Sequence, residues 1–415
     1  MKKIAIFIGT RPEAIKMMPI IKAIKSTGKL HPVVISTGQH EKLLQQVLEL
    51  FDIKIDTYLK VMRPNQQLAA LTARLIVRIE NCLQQIQPDM ALVQGDTATA
   101  FMAALACFYQ RIPIGHVEAG LRTNNIWSPF PEEVNRRLIA PLATLNFAPT
   151  DVARLNLLRE NIEESKIVVT GNTSIDAILL EVEYQALPLI KKQVYQRLTY
   201  LLGEHWNTVP FVLITCHRRE NFGEGLEQIC RAIVLLAQAF PDYNFIYPVH
   251  LNPQVQQPVN QYLADLSNVK LIPPVNYREF VALMYNSKLI LTDSGGVQEE
   301  APALGKPVLV MRDTTERPEG LKAGATLLAG KDAESIFQNT YRLLTDEEAY
   351  RHMSKRINLY GDGQAARRII KSIQEYFTPI TISPYQEPIP NPNRLIVPKL
   401  AKNKVNITAT TTVAG

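Results

Sequence analysis

The chain has 415 residues, of which 46% are hydrophobic and 20% are charged. This length exceeds that of one ordinary domain, and the composition is that of a globular protein rather than a disordered one. The net charge of +6 is modest, and residues 379–415 contribute half of it through four basic residues and one acidic residue. The remainder has no basic face with interleaved aromatic residues, which argues against a nucleic-acid partner and favours an anionic small molecule.

The sequence contains no segment that predicts membrane insertion or export. The start, MKKIAIFIGTRPE, is typical of a first strand rather than of a signal peptide, and the apolar run 100–109 is too short to span a bilayer. The four cysteines show neither metal-ligand nor disulfide spacing. We therefore expect a cytoplasmic protein without a metal site and without a membrane partner.

Short β-branched runs alternate with longer helical segments along the chain. The predicted strands are 3–9, 32–37, 90–95, 112–118, 144–148, 166–170, 211–216, 244–249, 269–273, 287–293, 307–311 and 325–329. The predicted helices between them include 41–51, 69–86, 152–160 and 225–239. Alternating strands and helices over this length predict an α/β fold with two parallel, Rossmann-like halves.

The two predicted domains meet near residues 170–176, TGNTSID. We expect a first domain over 1–171 and a second over 172–361. Six prolines within 379–398 and a closing NITATTTVAG predict a low-complexity, disordered tail over 379–415. A two-lobed α/β protein binds its ligand where the strand ends of both lobes face one cleft.

Two cations follow the first predicted strand. Arg11 and Lys16 stand in GTRPEAIKM, where the G-x-G-x-x-G fingerprint of an ordinary dinucleotide site is absent. Together they could hold a diphosphate, one as a fork and the other as a point charge. By itself, Lys16 is equally well explained as an exposed helix lysine.

Carboxylates follow the next strands of the first half. Asp96 lies at the head of a helix, where a helix cap is the simpler interpretation. Glu118 follows an apolar strand, and apolar surroundings would raise its pKa for proton transfer. Glu132 and Glu133 stand at a predicted helix start, where the helix dipole accounts for one of the two. We expect Asp96, Glu118 and Glu132 to converge on one cleft.

The second half places donors at its strand ends. His217 and His250 occupy matching positions, which suggests an anion site. The segment DSGGVQEE offers Ser294, Gly295 and Gly296 as a phosphate cradle at a helix N-terminus.

A carboxylate lies about one turn beyond that cradle. A ribose diol offers two donors at this distance from a phosphate, so Glu299 or Glu300 fits a nucleoside diphosphate. Arg317 follows in the next loop and is placed to meet either glutamate or the phosphate.

Taken together, these motifs closely resemble the non-hydrolysing UDP-N-acetylglucosamine 2-epimerases. The matching stretches, in family order between residue 8 and about 369, are GTRPEAIKM, GDTATA, GHVEAGLRT, SPFPEEVNR, TGNTSIDA, CHRREN, YPVHLNP, DSGGVQEEAPALGKPVL, RDTTERPEG and YGDGQAARRI. The resemblance implies the glycosyltransferase B fold, with a last helix over about 362–378 that completes the first domain. It also implies interconversion of UDP-N-acetylglucosamine and UDP-N-acetylmannosamine through a glycal, without a cofactor, in a homodimer that supplies surface polysaccharide synthesis.

The resemblance implies a set of site residues. Asp96, Glu118, Glu132 and His217 match the family's catalytic residues. The implied UDP-sugar contacts are Arg11, Lys16, Asp96, Glu118, His217, Val275, Phe280, Ser294, Gly295, Gly296, Glu300 and Arg317. A regulatory site for a second UDP-N-acetylglucosamine would include Gln39, His40 and His250, although Lys42 stands where the family pattern has glutamine.

Three other functions share these features. A hydrolysing relative would release UDP and free N-acetylmannosamine. A glycosyltransferase would use the same fold with an acceptor site. A nucleotide-sugar sensor would keep the phosphate cradle but would not need Asp96, Glu118 and Glu132 together.

Overall fold

A computed structural model describes residues 1–38, 41–63 and 66–378. The predicted tail, residues 379–415, lies outside the described residues. Residues Met1–Gln374 form one compact unit that contains both sheets, and Glu375–Gly415 form a second unit. The division of the first unit near residue 171 into two domains therefore stays a prediction.

Seven strands form the first sheet. In chain order they are β1 (Lys2–Ile8), β2 (Leu30–Ser36), β3 (Thr57–Tyr58), β4 (Met90–Gln94), β5 (Ile114–Val117), β6 (Leu145–Ala148) and β7 (Ile167–Val169). Their order across the sheet is β3-β2-β1-β4-β5-β6-β7, and every pair is parallel. Because the order reverses between β1 and β4, the crevice at the carboxyl ends of these two strands is where such a sheet binds ligands.

Six strands form the second sheet. They are β8 (Phe211–Thr215), β9 (Asn244–Pro248), β10 (Val269–Ile272), β11 (Leu289–Thr292), β12 (Val308–Val310) and β13 (Thr326–Leu328). The order β10-β9-β8-β11-β12-β13 repeats the pattern, with its switch between β8 and β11. All twelve predicted strands are confirmed. The unpredicted β3 pairs only two residues with β2, too few to leave a periodic signal.

Helices connect the parallel strands. Those before β8 are α1 (Arg11–Thr27), α2 (Glu41–Leu50), α3 (Leu68–Ile86), α4 (Ala98–Tyr109), α5 (Glu132–Leu142), α6 (Asp151–Arg159), α7 (Thr173–Gln185) and α8 (Pro188–Leu202). Those after β8 are α9 (Glu224–Ala239), α10 (Pro253–Leu263), α11 (Tyr277–Asn286), α12 (Gly295–Ala303), α13 (Pro318–Lys322), α14 (Ala333–Thr345), α15 (Glu347–Met353) and α16 (Ala365–Phe377). All five residues of β4 and of β8 are buried, as expected where helices cover both faces.

The chain passes between the two sheets twice, and the two passages lie side by side. The amide of Asn172 donates to the carbonyl of Tyr360 at 2.5 Å. A Cβ on Gly171, which has a φ of +88°, would lie only 3.1 Å from the Cα of Gly361. Asp176 on α7 then accepts the amides of Ala365 and Ala366 at 3.1 and 2.8 Å, so its carboxylate caps the first turn of α16.

None of the helices within the described ranges has the length and the apolar composition needed to cross a membrane.

Candidate active site

Two cations of the candidate site lie on α1, the helix that follows β1. The buried Glu13 carboxylate accepts the amides of Gly9 and Thr10 at 2.9 and 2.6 Å and the hydroxyl of Thr97 at 2.6 Å. These bonds fix the start of α1, so Arg11 stands at its first position and Lys16 lies further along the same helix. Glu13 was not singled out from the sequence, although the Thr-x-x-Glu spacing of a capping box could have identified it.

Four charged side chains and one amide from both halves of the chain meet in one cluster, which we call the cleft network: Lys16, Glu118, Asn172, Glu299 and Arg317. Lys16 pairs with Glu118 and lies 3.9 Å from Glu299. The Asn172 amide donates to Glu118 at 3.1 Å and to Glu299 at 3.0 Å. Arg317 Nε donates to Glu299 at 2.7 Å. Lys16 is therefore not an exposed helix lysine, because only 13% of its side chain is accessible.

The environment of Glu118 differs from the prediction. Apolar surroundings and a raised pKa were expected, and both expectations were wrong. Burial does oppose ionisation, but the charge of Lys16 and its hydrogen bond outweigh burial, so the pKa of Glu118 is lowered. Glu118 also has a φ of +66°, an uncommon left-handed conformation for a non-glycine residue, at the end of β5.

Asp96 lies in the turn after β4, whose Gly95 comes close to Glu118. A Cβ on the adjacent Gly95 would be 4.0 Å from Glu118 Oε1. Asp96 is not the helix cap, since Thr97 caps α4 through the amide of Ala100. Its carboxylate instead pairs with Arg136 on α5, whose Nε donates at 3.0 Å.

The two glutamates that begin α5 have separate environments. The Glu133 carboxylate is fully buried and accepts the amides of Thr123 and Asn124 at 3.0 and 3.2 Å as well as Arg137 Nε at 3.1 Å. Glu132, one helical turn before Arg136, has a buried Oε2 without a hydrogen-bond partner. Glu133 therefore holds the loop in place, and Glu132 remains available for a ligand.

A cavity of about 220 Å³ opens at the carboxyl ends of the second sheet. Its lining consists of Arg11, Thr215, Cys216, His217, Pro248, His250, Pro274, Val275, Phe280, Ser294 and Val297. The cavity thus brings together five predicted UDP-sugar contacts and His250. An apolar wall with a few cations suits a flat base joined to an anionic group.

His217 and His250 form a stacked pair on this wall, with ring centroids 5.9 Å apart and an angle of 20° between the planes. Burial lowers the pKa of His217, and the charges of His250 and Arg218 lower it further. The negative charge of Asp293 acts in the opposite direction and raises this pKa. Gln39 and His40, the other members of the predicted regulatory site, lie outside the described residues.

The glycine-rich turn after β11 has the features of an anion site. Ser294 caps α12 by position, but its side chain makes no capping hydrogen bond. A Cβ on Gly295 would lie 2.5 Å from a guanidinium nitrogen of Arg317, so only glycine lets this cation approach the helix start.

Glu299 and Glu300 have different roles in the charge distribution. Glu299 is bound within the cleft network. Burial and the negative charge of Glu299 raise the pKa of Glu300 to about 8. The positive charges of Lys16 and Arg11 oppose this shift. A carboxyl group without a cation of its own is suited to neutral hydroxyl partners.

No group of three or more His, Cys, Asp or Glu side chains in the described ranges is arranged to hold a metal ion. Apart from Gln39 and His40, the predicted site residues lie in the segments that follow β1, β4, β5, β8, β9, β10, β11 and β12.

The fold is an α/β fold of the glycosyltransferase B type, and the cluster of charged side chains lies at its strand ends, where such a fold binds its ligand. The sequence pattern described as "UDP-N-acetylglucosamine 2-epimerase" matches residues 22–374. The UDP-N-acetylglucosamine 2-epimerases of Yersinia pestis and Escherichia coli K12 are each 48% identical to this chain. The matches cover 91% and 90% of this chain and 99% and 98% of the relatives. The chain belongs to the UDP-N-acetylglucosamine 2-epimerase family and is an isomerase.

Solved structures agree with this assignment. The Neisseria meningitidis UDP-GlcNAc 2-epimerase bound to UDP-GlcNAc superposes with a TM-score of 0.85 at 46% identity, covering 90% of this chain and all of the other. The Methanocaldococcus jannaschii enzyme in complex with UDP-GlcNAc and UDP gives 0.77 at 33% identity, covering 90% of this chain and 99% of the other.

Proposed function

We propose that this protein interconverts UDP-N-acetylglucosamine and UDP-N-acetylmannosamine by inverting carbon 2 of the sugar. The observation that carries the proposal is the cleft network, in which cations suited to a diphosphate contact a carboxylate suited to proton transfer. Family membership supports the same reaction. A protein that only sensed a nucleotide sugar would need the cations but not the carboxylates gathered beside them.

The reaction requires elimination, because carbon 2 is not next to a carbonyl group and its proton is weakly acidic. A base removes the proton from carbon 2 while the bond from carbon 1 to the UDP oxygen breaks, and the products are a glycal and UDP. Protonation of carbon 2 from the opposite face, with return of UDP to carbon 1, gives the epimer. This sequence needs a proton carrier on each ring face and a site that retains UDP.

Glu118 is suited to proton transfer once a diphosphate is present. Lys16 lowers the pKa of Glu118, which makes this carboxylate a weak base. A diphosphate that draws Lys16 toward itself would remove part of that stabilisation and raise the pKa of Glu118. Substrate binding would thereby activate the base.

Asp96 and Glu132 complete the proposed set of proton carriers. Asp96 is oriented by Arg136, and the buried Oε2 of Glu132 has no protein partner. Asp96 lies in the turn after β4, and Glu132 begins α5, the helix that also carries Arg136.

UDP would lie in the cavity of the second sheet. Val275 and Phe280 form an apolar wall for the uracil, and Glu300 accepts the ribose hydroxyls. Ser294, Gly295, Gly296, Arg11 and Arg317 surround the diphosphate. The cations would stabilise the negative charge that develops as UDP leaves.

The test is incubation with UDP-N-acetylglucosamine in D2O, followed by proton NMR of the sugar. Both UDP-sugars, with deuterium at carbon 2, are expected. Free N-acetylmannosamine formed in proportion to UDP would instead show a hydrolase, and transfer of the sugar to an added acceptor would show a glycosyltransferase. An unchanged, unlabelled sugar together with tight UDP binding would instead indicate a nucleotide-sugar sensor.

We further propose a cytoplasmic homodimer that supplies N-acetylmannosamine units for surface polysaccharide. All four cysteines are buried and unpaired, which suits a reducing compartment. The adjoining helices α3 and α4 leave Val77, Phe108 and Tyr109 exposed by 55%, 55% and 62%, and a second subunit would cover them. Light scattering of the purified protein tests the stoichiometry, and a monomeric mass would contradict it.

A further inference from the structure

Asp293 is a fully buried carboxylate directly after β11 that the sequence analysis did not single out. One of its oxygens, Oδ2, accepts the amides of His217 and Arg218 at 2.9 and 2.8 Å and the side-chain amide of Asn221 at 3.1 Å. These bonds anchor the loop after β8 to the turn after β11. Both turns belong to the switch point of the second sheet, where UDP is proposed to bind.

The other oxygen of Asp293 faces the His217 ring. Oδ1 is buried, makes no hydrogen bond in the structure and lies 3.5 Å from His217 Nδ1. A buried acceptor without a donor is costly, and the imidazole can supply one after a small rotation. Catalytic hydrogen bonds are often long in ligand-free structures and shorten when substrate binds.

We propose that Asp293 is a positioning residue that pairs with Nδ1 of His217 and thereby holds the ring with Nε2 toward the UDP diphosphate. The proposal rests on the proposed function and on the role that the family resemblance implies for His217, that of a catalytic residue that contacts the UDP-sugar. With Nδ1 carrying the proton for Asp293, Nε2 is the free nitrogen of the ring. If Nε2 takes up a proton beside the leaving diphosphate, the buried carboxylate balances the imidazolium charge.

The stacked His250 does not compete for this role. Its Nδ1 accepts the backbone amide of Asn252 at 3.1 Å, so its own proton lies on Nε2. The Cys216 thiol also lies against Asp293, but burial and this carboxylate raise its pKa well above the usual range. The thiol therefore stays neutral and is only a weak donor.

The variant Asp293→Asn separates two roles of Asp293, which are to anchor the loop after β8 and to pair with the His217 ring. The amide oxygen of asparagine still accepts the two backbone amides of the loop. Its NH2 group then faces His217 Nδ1, which must become an acceptor, so the proton moves to Nε2. A purely structural role would change stability but not the tautomer.

The experiment is a long-range 1H–15N correlation spectrum of the protein labelled at its seven histidines, free and with UDP. His217→Gln identifies the His217 signals. Wild-type protein is expected to show the Nδ1–H tautomer, or the imidazolium with UDP, and Asp293→Asn the Nε2–H tautomer. The kcat of Asp293→Asn should fall about 100-fold or more with a smaller change in KM.

Asp176→Asn is the matched control, because Asp176 is also a buried carboxylate that accepts two backbone amides. It should leave the His217 signals unchanged. An Nε2–H tautomer in free wild-type protein would overturn the proposal whether or not the variant folds. So would a folded Asp293→Asn protein with an unchanged tautomer or with kcat within about threefold of wild type.

The NMR comparison needs no turnover. If the wild-type protein fails to exchange deuterium into the sugar, the proposed function fails, while the pairing of Asp293 with His217 is still decided by the tautomer.

Discussion

Replacing Gly295 by alanine tests whether the start of α12 is shaped around Arg317. The new Cβ would lie 2.5 Å from one guanidinium nitrogen, whereas an ordinary contact begins at 3.4 Å. Arg317 would have to withdraw by about 0.9 Å, the difference between these distances. That movement would stretch its 2.7 Å hydrogen bond to Glu299 beyond hydrogen-bonding range.

The expected cost combines two opposing contributions. Losing a hydrogen bond between charged groups costs about 1.5–3 kcal/mol, while alanine stabilises a helix by up to about 1 kcal/mol relative to glycine. With the full helix gain, Gly295→Ala should therefore lower the free energy of unfolding by about 0.5–2 kcal/mol. Gly296→Ala is the matched control, because the nearest atoms to its Cβ are 4.0 Å away and only the helix-propensity gain remains.

Urea unfolding midpoints of the two variants should consequently move in opposite directions. A double-mutant cycle with Arg317→Ala isolates the clash, because Gly295→Ala should no longer destabilise the protein once the guanidinium is gone. Calorimetry should also show weaker UDP binding by Gly295→Ala, by about tenfold for each 1.4 kcal/mol of lost interaction. An equal cost of Gly295→Ala with and without Arg317 would refute the steric argument.

Three further outcomes follow from the charge distribution. Glu118→Gln should still bind UDP but lose deuterium exchange at carbon 2, and exchange at the wild-type rate would show that Glu118 is not a base. The pKa of Glu300 is raised to about 8, so the folded state holds a proton that the unfolded state releases above its ordinary value of 4.5. The free energy of unfolding should therefore fall as pH rises from about 4.5 to about 8. Urea unfolding at several pH values should show a smaller fall in Glu300→Gln. Asp176→Ala removes the cap of α16 and should cost about 1–2 kcal/mol of unfolding free energy, whereas an unchanged midpoint would mean that the cap contributes nothing.

Local sequence patterns predicted the elements because each pattern is confined to a few residues. Continuous apolar runs such as β4 and β8 are fully buried in parallel sheets, as their lack of alternation indicated. The predicted helix 69–86 is observed as Leu68–Ile86. The interpretation of Asp96 as a cap was wrong because the neighbouring Thr97 offers an equally suitable oxygen one residue closer to the helix.

The candidate site was predictable as a set of turns but not as a set of contacts. Strand order places the ends of β1, β4, β8 and β11 at the switch points, so polar residues after these strands were found. Lys16 and Glu118 are 102 residues apart, and no local pattern could show that they pair. The environment of Glu118 was misjudged because its apolar neighbours in sequence are not its neighbours in space.

By itself, the sequence determined the order of strands and helices, the parallel α/β class and the family, since periodicity and motifs are properties of neighbouring residues. Only the tertiary structure decided how the charges are paired. Glu299 binds Arg317 and Asn172, Arg136 holds Asp96, and Asp293 faces His217. The reason is physical: electrostatic interactions and hydrogen bonds depend on distances in space, and the fold sets those distances by bringing together segments far apart in the chain.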